Sequence, residues 1–318
     1  MIFLEQRMGG MNAIAQGVKS DAKELRAPLP VGPVRPGTNA HRVLFCRTLL
    51  DTFNPYKPAV IDWPKLETEA RDRLVSLPIW DMAVQTEGRA RLNVAAYAER
   101  VPDPLLRRAV ELNAFEEGRH KHVLSNLVQA YGIALEPEPE YTVRGDPEWA
   151  FMVTGYSECI DSFFAFGLYD SAKHSGFFPE ALVETFEPVI QEEARHILFF
   201  VNWAAWHRRT MPLWRRPFFE LKVLAVWISL IWERIGLARD LGGAADDSNF
   251  AINGAKSFGD DIDLGGVLDR CLAENERRMS RYDARLLRPR VVPTVARLAR
   301  RFLTGRAKPK DPRAMLNA

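Results

Sequence analysis

Two six-residue stretches, FEEGRH at 115–120 and QEEARH at 191–196, both contain Glu-Glu-x-Arg-His in a chain with only 6 histidines. On a helix, residues three apart share a face, so Glu117 and His120 can bind one cation together, as can Glu193 and His196. Carboxylate plus imidazole suits iron or manganese better than the thiolates of structural zinc. Glu116 and Glu192 fall about a quarter-turn aside. Arg119 and Arg195 are expected to pair with nearby acids or to orient a ligand carboxylate. Solvated helix faces are the bland alternative for such charged strings, but the exact duplication favours metal.

Helices must carry these strings, and the punctuation supports them. Asp103-Pro104 and Asp146-Pro147 each place an N-cap acid before a proline at the first helical position, and Gly132 and Gly176 stand where helices should stop. Apolar residues at spacings of three and four predict helices over 79–100, 103–131, 146–174 and 179–209, then 216–238, 260–285 and 292–304. Pro188 falls inside the fourth and should bend it or open a carbonyl. Strand alternation is missing, so the predicted class is all-α. The copies lie 76 positions apart, which suggests a duplicated helix pair. Each copy then needs a partner helix, and each partner offers an acid amid small or apolar residues: Glu87 on the first and Glu158 on the second, with Asp161 competing one turn later. Four carboxylates converging in a bundle would be very costly without cations.

The order Glu, Glu-x-x-His, Glu, Glu-x-x-His on four successive helices resembles the ferritin-like di-iron carboxylate superfamily. The resemblance covers about residues 79–209 and implies Glu87, Glu117, His120, Glu158, Glu193 and His196 as ligands of two iron ions, or of a manganese and iron pair, with Glu117 and Glu193 as bridges. It implies a ferritin-like four-helix bundle, here with additional C-terminal helices and an N-terminal extension. The expected division is a loosely structured extension over 1–62, the di-metal bundle over 63–212, and further helices with a basic tail over 213–318. Family members include oxygen-dependent oxidases and oxygenases, and fold alone does not choose among them. The expectation is an enzyme using O2 to oxidise an apolar small molecule. Its electrons would come from an external reductase or ferredoxin, because the chain shows no Gly-x-Gly-x-x-Gly fingerprint. An iron-handling or peroxide-scavenging protein and an RNA-modifying hydroxylase are the alternatives.

Composition restrains the partners. Lys and Arg number 43 against 41 Asp and Glu, so no specific nucleic-acid partner is indicated. Cys46, Cys159 and Cys271 are dispersed and odd in number, and no basic n-region precedes an apolar core near the start, which together fit a cytoplasmic location. Phe163, Phe164, Phe166, Phe199, Phe200 and Trp203 surround the motifs and are expected mostly as core, with some lining a substrate pocket. The apolar stretch 217–236 is expected as a buried helix. With the Arg-rich segment 285–313 it also allows a peripheral contact with the inner membrane face. His41, His122, His174 and His207 are expected at the surface, and Tyr97, Tyr156 and Tyr169 as core aromatics.

Overall fold

The structure, a computed structural model, describes residues 28–143, 145–242 and 264–306. All regular secondary structure among these residues is helical. The elements are α1 (Asn39–Asp51), α2 (Thr68–Val75), α3 (Trp80–Ala98), α4 (Pro104–Tyr131), α5 (Pro147–Ser175), α6 (Glu180–Glu184), α7 (Glu187–Thr210), α8 (Arg216–Gly242), α9 (Leu264–Met279) and α10 (Val291–Arg306), with 3-10 turns at Pro58–Val60 and Leu213–Arg215. The expected caps form: Asp103 accepts from the Leu106 amide and Asp146 from the Glu148 amide, each worth about 1 kcal/mol. Gly132 and Gly176 end α4 and α5 with φ of +68° and +66°, a left-handed turn that a side chain would strain.

Four long helices, α3, α4, α5 and α7, make the bundle, and side-chain pairs fix their directions. Gly88 lies beside Lys121 and Gly118 beside Arg91, so α3 and α4 run antiparallel. Asn93 with Thr154 and Tyr97 with Phe151 set α5 antiparallel to α3. Ser162 with Glu193 and Gly155 with Phe200 set α7 antiparallel to α5. The order is therefore up, down, down, up, with the connection 132–146 crossing from one end to the other. A Cβ on Gly155 would lie 2.2 Å from Phe200 Cδ2, so the missing side chain lets α5 and α7 approach one turn before Glu158. Around this contact Phe151, Phe166, Phe199 and Trp203 are buried to 2% exposure or less.

Four expectations are corrected. Pro188 does not bend a continuous helix: the chain turns at 185–186 and Pro188 sits in the first turn of α7, where a missing amide hydrogen costs nothing. The N-terminal stretch is not loose throughout. Thr38 caps α1, which buries Val43, Leu44, Phe45, Cys46 and Leu49 against α4 and α7. Residues 1–27 lie outside the described residues. His41 is fully buried, with Nε2 2.8 Å from Asn202 Oδ1, an oxygen that also accepts from the Leu287 amide. Finally, among the described residues α8 is buried on one face only. Phe219, Val226 and Leu230 turn inward, whereas a row from Phe218 to Ile235 faces out. No helix among the described residues is long and apolar enough to cross a membrane. Residues 307–313 of the basic tail are outside the described region.

Candidate metal centre

Because α4 and α7 run antiparallel at the same height, the two Glu-Glu-x-Arg-His strings face each other across the bundle. One donor atom from each of Glu117, His120, Glu193 and His196 lies within 4.8 Å of the others, and all four residues are buried. Such a group can hold a metal ion. The imidazole contacts cross between strings: His120 Nδ1 is 3.1 Å from Glu193 Oε1, and His196 Nδ1 is 2.7 Å from Glu117 Oε1. Neither contact is aligned as a hydrogen bond, so both buried Nδ1 atoms point into the cluster without one. The inner carboxylates are held from behind by Asn113 Nδ2, which donates to Glu117 at 3.2 Å, and Ser162 Oγ, which donates to Glu193 at 2.9 Å.

The first glutamate of each string, left unassigned by spacing alone, turns out to support the other string. Glu116 Oε2 is 2.9 Å from His196 Nε2, and Glu192 Oε2 is 2.9 Å from His120 Nε2. An ionised carboxylate only accepts, so each Nε2 carries its hydrogen outward and each Nδ1 is directed inward. The arginines complete the cross. Arg195 donates to both oxygens of Glu116 at 2.8 and 3.0 Å, and Arg119 pairs with Glu192. Burial alone would raise the Glu116 carboxyl, but Arg195, the His196 hydrogen bond and Arg119 bring it down to about 2. The N-terminal region finishes the arrangement from outside. The Leu49 carbonyl accepts from Arg195, and the Asn54 and Tyr56 carbonyls accept from Arg119, whose guanidinium also lies 4.0 Å over the Tyr56 ring. Sequence reasoning missed Tyr56, whose hydroxyl donates to Glu192 at 3.2 Å. No motif in the surrounding DTFNPY singled it out.

The two remaining expected ligands border the cluster on its α3 and α5 side. Glu87 Oε2 is 3.7 Å from His120 Nδ1, and this carboxylate keeps 20% side-chain exposure. Glu158 has a buried oxygen, Oε1, without a hydrogen-bond partner. Burial pushes the Glu87 carboxyl up to about 8 despite the pull of His120, and burial together with the Glu117 charge pushes Glu158 well above its ordinary range. For both histidines burial opposes the charged ring. The nearby carboxylates of Glu192, Glu193 and Glu87 outweigh it for His120, as do those of Glu117 and Glu116 for His196, and both pKa values lie well above the ordinary one. The residues fit a cation: inward lone-pair positions, an orphaned carboxylate oxygen and mutually repelling acids coincide at one place.

The competing acid, Asp161, does not join them, since it pairs with Arg234 at 2.7 Å on the surface. Tyr97 stacks on Phe151 and accepts from Trp203 Nε1 at 3.0 Å, Tyr156 packs on Phe200, and Tyr169 lies beside Arg278. His122 and His174 are exposed, while His207 is half-buried, stacked on Trp203 and 3.1 Å from Glu148. Phe166, Phe199, Phe200 and Trp203 belong to the main core, and Phe163 and Phe164 to a separate cluster with Cys271. A cavity of about 220 Å³ lies along α3 between Arg89, Asn93 and the 140–143 segment, and none of the six expected ligands lines it. Comparison of the chain with models of known families, with curated proteins and with solved structures finds no significant match, so the chemistry of the site rests on its own geometry.

Proposed function

We propose that the chain is a ferritin-like di-metal oxidoreductase that uses O2 to oxidise a small organic substrate. The observation carrying this reading is the crossed cluster: two inward Nδ1 atoms with four carboxylates, built on an up-down-down-up bundle with one crossover. Charge supports two ions rather than one. Glu116 and Glu192 are offset by Arg195 and Arg119, which leaves Glu87, Glu117, Glu158 and Glu193; once ionised as ligands these would carry four negative charges, which two divalent cations would neutralise. One ion would take Glu87 and His120, the other Glu158 and His196, with Glu117 and Glu193 shared. When bound there, a pair of ferrous ions would supply electrons for the reduction of oxygen, and a separate reductant would have to restore them. The chain's part is to fix the imidazole tautomers through Glu116 and Glu192 and to exclude water on the α4 and α7 side with α1. Substrate would approach from the α3 and α5 side, where Glu87 and Glu158 are the half-exposed members. The apolar character expected of the substrate rests on the aromatic-rich core and not on a pocket at the ions.

Metal analysis tests the reading directly. Wild-type protein expressed with iron and manganese should carry near two ions per chain. Glu117→Ala with Glu193→Ala should lose them, Glu158→Gln should lower the content, and Asp161→Asn should leave it unchanged. Reduced, loaded protein should then consume oxygen. A wild type without metal after anaerobic reconstitution would sink the proposal. Rapid ferrous oxidation that no organic substrate alters would move it to iron handling.

A further inference from the structure

α8 carries two apolar faces, and the described residues cover only one. Phe219, Val226 and Leu230 are 6%, 0% and 1% exposed against α5. On the opposite side Phe218, Leu221, Leu224, Ile228, Ile231, Trp232 and Ile235 are 66%, 62%, 55%, 47%, 52%, 62% and 40% exposed. At about 100° per residue these seven fall within one stripe that contains no charge. Five of them, Leu221, Leu224, Ile228, Ile231 and Ile235, alternate at steps of three and four, the spacing with which a helix meets another helix.

We infer that this stripe is the seam of a homodimer, in which α8 of one copy packs on α8 of a second. The exposed fractions of the seven side chains amount to roughly 800 Å² per copy, given about 150–250 Å² for large apolar residues, and a stable pair needs about that much from each partner. A contact between identical stripes is self-complementary and closes with two-fold symmetry. Charge argues against a bilayer as the occupant. From Glu220 to Arg234 the flanking charges are matched inside the chain: Glu220 by Arg208, Lys222 by Asp146 at 2.6 Å, Glu233 by Arg89 at 4.0 Å and Arg234 by Asp161 at 2.7 Å. A helix lying on anionic lipid presents an excess of unpaired Lys and Arg instead. α10 also exposes Val291, Val295, Leu298 and Phe302, but this row is shorter.

Sedimentation equilibrium of the full chain should give twice its 36.1 kDa mass. Leu224→Glu with Ile228→Glu should weaken the dimer by about 100-fold or more, because each charge would be buried in the seam. Both positions are exposed in the single chain, so far-ultraviolet circular dichroism should not change. Val295→Glu with Leu298→Glu on α10 should leave the dimer intact. As a check that does not depend on the charged variant folding, Ile228→Cys should cross-link to its copy on mild oxidation, since Cys46, Cys159 and Cys271 are buried. A monomeric wild type, a dimer indifferent to the α8 substitutions, or a monomer whose flotation with liposomes is lost in the α8 variant would each overturn the inference.

Discussion

Loading the centre should release protons, and the number follows from the structure. Without metal, Glu87 with a pKa of about 8 is about nine-tenths protonated at pH 7, and Glu158 is pushed well above the carboxylate range. His120 and His196 are held well above the ordinary histidine value, so a proton competes with metal for each inward Nδ1. Metal ligands must be deprotonated, so filling the site should expel protons at pH 7, about one of them from Glu87. The sign follows: raised pKa values mean that protons compete with metal, and affinity rises with pH. Below pH 7 the binding should tighten as pH rises, by at least the roughly 10-fold per pH unit that the Glu87 proton alone implies. Calorimetric titration with ferrous or manganous ion under anaerobic conditions, repeated in buffers of different ionisation enthalpy, reads the proton count from the slope of observed heat against buffer enthalpy. Glu87→Gln should lower it by about one, and adding Glu158→Gln should lower it further. Release of fewer than about one proton by the wild type would refute the reasoning, because the ions would then be binding groups that are already deprotonated.

Glu116→Ala should cost about 3–5 kcal/mol in chemical denaturation, since it leaves Arg195 buried at 3% side-chain exposure without its carboxylate, whereas Glu116→Gln should fold and lower metal affinity about 10- to 100-fold. A loss below about 1 kcal/mol for the alanine variant would count against the crossed network. Gly155→Ala should destabilise by about 1–3 kcal/mol in thermal or denaturant melts, because its Cβ meets Phe200 at 2.2 Å, and an unchanged melt would mean that α5 can shift freely. The His207 hydrogen bond and Lys222 hold Glu148 down to about 2, from 4.5. Its contribution of up to about 3 kcal/mol is therefore present above pH 4.5 and lost as pH falls toward 2, less a discount for 28% side-chain exposure. Glu148→Gln should be less stable than wild type at pH 6 and equal to it near pH 2, and a constant gap at both would refute the linkage.

Much of the fold and the inner cluster was legible because both obey local rules. Helix limits follow from caps and prolines that act within one turn, and Glu117 with His120 share a face by helix geometry alone. Even there, Pro188 was ambiguous, since a proline can interrupt a helix or begin one, and the choice depends on whether the 185–186 turn is packed well enough to form. The exposed stripe of α8 was illegible for a related reason. An all-round apolar helix reads as buried, and only the position of α5 shows that one face alone is covered.

By itself the sequence determined the helical class, the repeated Glu-Glu-x-Arg-His strings and the inner residues Glu117, His120, Glu193 and His196, because residues three or four apart on a helix meet whatever surrounds them. Tertiary structure alone decided that the strings support each other crosswise, with Glu116 serving His196 and Glu192 serving His120. It also placed Asp161 on the surface with Arg234 and brought Leu49, Asn54 and Tyr56 onto the buried arginines. These partners lie roughly 60 to 150 positions apart in the chain, and no local spacing encodes them. Their pairing comes from the antiparallel register of α4 and α7 and the docking of α1, which the burial of the whole core sets at once.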